Sequence, residues 1–264
     1  MSREFQGAAL PLDQDGIDEV TEQLRVGMAE LWAVLTVETK GFGFLSDRRP
    51  LILFERHIFS RETRHQFDGA HPDLSNRKPG GYGPGGAAQY DRLERATQLD
   101  RTAALRSASW GLGQVMGFNA LNAGFEDVEE MTQKMMASES AQLLGMANFI
   151  RHIKADRSLR RQDWTTFARL YNGADFARNR YDIRLAAAFR RHNAGFLPDL
   201  VVRAAQAYLT YLDFDPGPVD GLLGRFTRSA WHEFQERHGM PLTDEISEKA
   251  VATLKEHALA SHDA

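Results

Sequence analysis

Apolar residues recur at helical spacing through most of this chain and give way only at a few glycine- and proline-rich stretches. Ile17, Val20 and Leu24 share one face of a first helix, which Asp15 can cap and Gly27 ends. Met28, Leu31, Trp32 and Leu35 follow at i, i+3, i+4 and i+7, a second helix stopped by Gly41 and Gly43. Glu38 continues that apolar face. A carboxylate there sits at the negative end of the helix dipole and extends a stripe that should be buried. Both conditions raise its pKa, which suits a general acid working near neutral pH. The plainer alternative is an exposed Glu at a frayed helix end.

Residues 1–12 read as a loose arm. The apolar run Pro50–Phe59 predicts a short strand or turn leading into a helix. From Phe67 to Gly86 the density of Pro and Gly predicts a long loop, of the kind that forms a groove wall or lid. No Gly-Lys-Ser/Thr closes a phosphate loop there. Helical periodicity returns over Ala87–Leu105, is interrupted by the glycine-studded Trp110–Gly117, and resumes at Leu143, Met146, Ala147 and Ile150. Asp163 can cap a helix carrying Trp164, Phe167, Ala168 and Tyr171, and Tyr181, Leu185, Ala188 and Phe189 mark another. After Gly195 the pattern restarts: helices through Leu200–Tyr208, Thr227–Gln235 and Ser247–His257 surround the turn Asp215–Gly221. The pattern predicts a mainly α protein with a division at 195/196. Gly195 to Pro198 serves as a hinge, and a chain ending near Asn193 is expected to fold without the tail.

Composition adds little to this until it is taken by region. The chain has 264 residues, 42% hydrophobic and 26% charged, with a net charge of −4, ordinary values for a globular protein. Residues 196–264 hold six Lys/Arg against eleven Asp/Glu, whereas 151–192 hold eleven against four. That basic stretch would attract a polyanion such as cell-wall polymer, lipid headgroups or nucleic acid, or else form solvated helix faces. The absence of cysteine excludes disulfides, thiol nucleophiles and Cys-zinc sites. His57, His65 and His71 lie near one another but lack zinc-ligand spacing, so no metal is expected. No apolar run approaches the roughly 20 residues of a membrane span, and the start MSREFQGAALPLDQDG lacks the basic and apolar parts of a secretory signal.

The tail motif Leu212–Gly224, with Thr227, Ala230, Phe234, Gln235 and Gly239, resembles the three-helix peptidoglycan-binding domain. Four ordered segments of the remainder resemble the N-acetylmuramidase domain of bacteriophage endolysins, a branch of the lysozyme-like fold. They are Val37–Leu45, Ile52–Phe59, Ser107–Gly117 and Tyr171–Gly173. Thr39 stands where the family often has Ser.

The resemblance implies a lysozyme-like catalytic domain (1–195) and a peptidoglycan-binding domain (196–264). It implies hydrolysis of the β-1,4 bond between N-acetylmuramic acid and N-acetylglucosamine, with Glu38 as the acid. Ser109, Gln114, Tyr171 and Asn172 would line the sugar groove, and Asp220 and Gly221 belong to the wall-binding motif. Glu55 is a candidate second carboxylate or, with Arg56 and His57, part of a structural ion-pair cluster; Asp47 and Asp91 are the other candidate bases. Glycosidases normally use two carboxylates, yet goose-type relatives often lack an obvious nucleophile. A lytic transglycosylase using the same acid, and a non-catalytic wall-binding virion protein, are the alternatives. The expected partner is bacterial peptidoglycan, with no nucleic acid, no stable membrane insertion and no cofactor. The chain is expected to act as a monomer, held in the host cytoplasm until a separate pore releases it.

Overall fold

The computed structural model describes residues 4–263. Helix α1 (Gln14–Leu24) starts at Asp13 rather than Asp15, because Asp13 Oδ1 is the group that accepts the Gly16 N–H, at 2.9 Å. Helix α2 (Met28–Thr39) follows Gly27. Leu31 through Leu35 are all buried, so α2 runs through the core rather than across it. It ends where Lys40 and Gly41 turn left-handed (φ 59° and 88°) and the Gly41 N–H donates back to the Leu35 carbonyl.

Strand β1 (Ile52–Phe54) passes directly into α3 (Arg56–Glu62), as the 50–59 run predicts. Residues 67–86 form the expected irregular loop, pressed by Gly81 onto the Arg56 guanidinium. The next periodic stretch divides into α4 (Ala88–Thr97) and α5 (Arg101–Arg106), the second capped by Asp100. The glycine-studded segment then folds as a hairpin, β2 (Ala108–Trp110) and β3 (Val115–Met116). The three strands form one antiparallel sheet in the order β1-β2-β3, with Leu53 opposite Ser109 and Trp110 opposite Val115. Strands of two and three residues are too short to show alternation, so the sequence pattern carries no sign of β2 and β3.

Two further helices were hidden or understated by periodicity: α6 (Val128–Ala137), capped by Asp127, and α7 (Glu139–His152), capped by Ser138. The N-terminal arm is packed rather than loose. Phe5, Ala9 and Leu12 are buried, and Ala9 and Leu10 donate to the Met136 and Ala137 carbonyls. Gly7 lies so close to Met136 that a Cβ would sit 2.4 Å from its carbonyl oxygen. Residues 1–3 of the arm lie outside the described residues. Helices α8 (Asp156–Arg160), α9 (Trp164–Asn172) and α10 (Tyr181–Asn193) complete the larger core, with Asp163 capping α9 as expected and α10 lying along α2.

The tail comprises α11 (Leu200–Tyr211), α12 (Arg225–Arg237) and α13 (Glu248–Asp263). Its core holds Phe214, Trp231, Phe234 and Leu254, but also Ala9 from the arm and Phe44 from the loop after α2. Tyr211 donates to the Ala9 carbonyl at 3.1 Å, and Arg48 donates to the Ala258 carbonyl of α13. The tail is therefore docked through shared side chains. The hinge expected at Gly195–Pro198 is a covalent link beside a broad packed contact.

Candidate active site

Glu38 sits in the last turn of α2, between the tip of the β2–β3 hairpin and helices α9 and α10. Asn172, the last residue of α9, donates its Nδ2–H to Glu38 Oε1 at 2.9 Å. Arg184 of α10 donates to the Val37 carbonyl at 2.9 Å and adds a positive charge near the carboxylate. Burial raises the hydroxyl pKa of Tyr171 and Tyr181, and the nearby Glu38 charge adds to it. The carboxyl keeps a partial opening to solvent, but the protein packed around it removes most of its hydration. That desolvation raises its pKa to about 7, against the smaller lowering effects of the Asn172 hydrogen bond and Arg184. The acid is thus half protonated near neutrality.

The hairpin tip is fixed to this site from two directions. Thr39, adjacent to the acid, donates to the Leu112 carbonyl at 3.3 Å, and the Tyr171 hydroxyl donates to the Gly113 carbonyl at 2.6 Å. Within the hairpin, Ser109 Oγ donates to Gln114 Oε1 at 2.8 Å. The Gln114 amide donates in turn to the Leu51 and Gly111 carbonyls at 3.1 and 2.9 Å. Gln114 adopts a left-handed φ of 48°, so the tip holds its shape against a backbone preference. Asn172 and Tyr171 of α9 therefore stand at Glu38, and Ser109 and Gln114 form a brace inside the hairpin whose tip Tyr171 bonds. Asn172 Oδ1 is buried without a hydrogen-bond partner, an acceptor left over at the site.

Glu55 caps the start of α3 without a side-chain capping bond. Its Oε2 lies 3.1 Å from His57 Nδ1 but in poor hydrogen-bond geometry, and both atoms are buried without a bonded partner. Desolvation raises the Glu55 pKa, while His57 and a hydrogen bond from Tyr82 of the glycine-rich loop oppose it. Asp47 is instead engaged by Arg49 at 2.6 Å, and Asp91 is an exposed residue in the first turn of α4. His57, His65 and His71 do not converge, and no cluster of three metal-ligating side chains occurs among the described residues.

Asp220 and Gly221 lie in the tail turn, where their polar groups serve the turn itself. Asp220 Oδ1 accepts the Leu222 N–H at 2.9 Å. Gln206 Oε1 accepts both the Asp220 and Gly221 N–H groups, at 3.0 and 2.8 Å. Gly221 has φ 72° and packs so closely on Asp199 that a Cβ would sit 2.7 Å from its backbone. The residues near Glu38 that sequence reasoning missed are Tyr181 and Arg184. They stand three apart on the face α10 presents to α2, and only the pairing of those helices reveals them.

Comparison with known proteins agrees with this architecture. Residues 27–193 match the N-acetylmuramidase family and residues 200–254 match a peptidoglycan binding domain. The crystal structure of the Burkholderia AP3 phage endolysin is similar at 40% identity, with a TM-score of 0.64 over 69% of this chain and 71% of that one. No curated protein matches the sequence.

Proposed function

The chain belongs to the N-acetylmuramidase family, and from that membership we propose that Glu38 is its general acid and that Asn172 and Arg184 hold it in place. The protein is a peptidoglycan hydrolase of the endolysin kind, a glycoside hydrolase joined to a peptidoglycan-binding domain. The observation that carries the catalytic assignment is the burial of Glu38, which raises it to about 7 while leaving one oxygen hydrogen-bonded to Asn172. An acid with that pKa still carries its proton in about half the molecules near neutral pH and gives it up readily.

In this reading the proton of Glu38 passes to the glycosidic oxygen as the C1–O4 bond breaks, and N-acetylglucosamine leaves with a free 4-hydroxyl. Positive charge develops at C1 of the muramic acid, and a water oxygen bonds there. The proton lost by that water passes to a base, and the product is a reducing muramic acid end. Glu55 is the candidate partner carboxylate: His57, 3.1 Å from its Oε2, favours the ionised form, while burial raises its pKa on balance. Asp47 is already committed to Arg49.

Turnover of soluble murein fragments tests both roles. Glu38→Gln should lower kcat by roughly 10²–10⁴, the usual worth of general acid catalysis, and Glu55→Gln should lower it less. Near-parental turnover by a folded Glu38→Gln variant would remove Glu38 from the mechanism.

A further inference from the structure

Beneath the turn that follows Glu38 lies a buried ion pair that the hydrolytic step does not use. Arg203, on helix α11 of the tail, and Glu139, the first residue of α7, both have side-chain exposure of 0%. They meet as a two-pronged pair, Nη1 to Oε2 at 2.6 Å and Nη2 to Oε1 at 2.7 Å. The guanidinium lies between the rings of Trp32 and Phe42, 5.7 and 5.6 Å from their centroids.

Buried ion pairs are poor stabilisers, since a well-packed apolar pair often does as well or better. What this pair supplies is directed hydrogen bonds, and they fall on the turn behind the acid. Glu139 Oε1 accepts the Gly43 N–H at 2.8 Å, and Oε2 accepts the Leu12 N–H of the arm at 2.8 Å. Arg203 Nε donates to the Gly41 carbonyl at 3.1 Å, and Nη2 reaches the same oxygen. Gly41 stands three residues after Glu38 with φ 88°, and its own N–H closes the last turn of α2 on Leu35. At Gly43 a Cβ would sit 2.0 Å from Gln142 Oε1. The segment therefore has no room for a substitute packing arrangement. Its polar groups are held from below by a residue of the tail and from above by the α2 cap and the Thr39 bond to the hairpin.

We propose that Arg203 is a positioning residue for the catalytic acid: with Glu139 it holds the 40–43 turn on which the Glu38 helix ends, so the peptidoglycan-binding tail completes the active site as well as carrying it to the wall. This rests on Glu38 being the acid. The pair acts on Glu38 only through the backbone, and the groups that face the carboxylate directly (Asn172, Arg184, Tyr171 and Tyr181) are untouched by changing it.

The test uses the full-length chain with two changes. Arg203→Lys keeps the buried charge, but one ammonium cannot reach both Glu139 oxygens and the Gly41 carbonyl with the geometry of the fork. The double change Arg203→Met with Glu139→Met removes both charges together, so neither is left alone. For each, kcat and KM on soluble murein fragments, the pH profile of kcat, and retention on intact sacculi are measured. The expected result is at least a tenfold fall in kcat with KM changed less than about twofold, since small misplacement of a reacting group is costly in rate. The alkaline limb of the profile should move to lower pH as the loosened turn admits water to Glu38, while sacculus binding stays as in the parent. Parental kcat and an unmoved limb in folded Arg203→Lys would overturn the proposal, whatever the double variant does. That failure is distinct from failure of the acid assignment, which would appear as activity in Glu38→Gln with Arg203 intact.

Discussion

At the scale of single residues, the environment of Glu38 sets both its chemistry and its energetic cost. Its folded pKa, about 7, lies above the ordinary 4.5, so between those values the folded state binds more protons than the unfolded chain. Stability from this group therefore falls as pH rises from about 4.5 to 7, and above 7 the burden is complete, roughly 3 kcal/mol. Glu38→Gln, which removes the buried charge, should accordingly melt higher than the parent at pH 8 and close to it at pH 4. A lower melting temperature at pH 8 would mean that the carboxylate is well solvated after all. Activity follows the same titration in the opposite sense to a base: protonated Glu38 is the working form, so kcat should decline as pH passes above about 7. The Asn172 hydrogen bond lowers this pKa, so Asn172→Ala should shift the alkaline limb upward while reducing kcat through lost orientation. A limb that stays in place would show that Asn172 does not bond the carboxylate in solution. Glu38 itself was legible in the sequence, because an apolar stripe that ends in a carboxylate before two glycines is a local pattern. Its partners were not: Arg184 lies 147 residues from the Val37 carbonyl it bonds, and no periodicity records such a separation.

At the scale of elements, amphipathic helices with clear caps declared themselves and the β2–β3 hairpin did not. Helices α2, α9 and α10 follow from their apolar spacing and from caps such as Asp163. The β2–β3 hairpin is specified by contacts rather than by pattern. Gly111, at φ 65°, would place a Cβ 2.5 Å from Gln142 Cδ, and Gln142 Oε1 in turn accepts the Leu112 N–H at 2.8 Å. Gly111→Ala should therefore destabilise the protein by about 1–3 kcal/mol, through left-handed strain and the displaced Gln142. It should lower kcat further than stability alone explains, because the same tip carries the Gly113 carbonyl bonded to Tyr171. Thermal melts beside turnover at a temperature where the variant is fully folded separate the two effects. The arm shows the same limit of local reading. Residues 4–12 have no periodicity, yet Phe5 is buried against Tyr90 and Trp110, and Ala9 against α6 and the tail, all from elsewhere in the chain.

For the molecule as a whole, the sequence shows two segments and the structure shows how they depend on one another. Three helices, α11 to α13, follow the change of pattern after Gly195. Against the expectation that the larger segment folds alone stands Glu139, a buried carboxylate whose counter-charge, Arg203, comes from α11. Sixty-four residues separate the pair, and neither residue is unusual in its own neighbourhood. A chain ending at Asn193 would strip Glu139 of the guanidinium its carboxylate bonds and would expose Phe44, Phe42 and Ala9, which pack on the tail. That truncated chain should be poorly soluble or melt far below the parent in calorimetry. A cooperative melt near the parental temperature would show that the contact is dispensable to the fold.

The central claim is that Glu38 donates a proton to the glycosidic oxygen while water takes the muramic acid carbon. Mass spectrometry of purified murein digested by the parent and by Glu38→Gln reads that event in the products. Proton donation by Glu38 should give reducing N-acetylmuramic acid ends from the parent and intact glycan from the variant under the same conditions. Anhydromuramic or reducing N-acetylglucosamine ends from the parent, or the same reducing muramic ends in equal yield from Glu38→Gln, would contradict it.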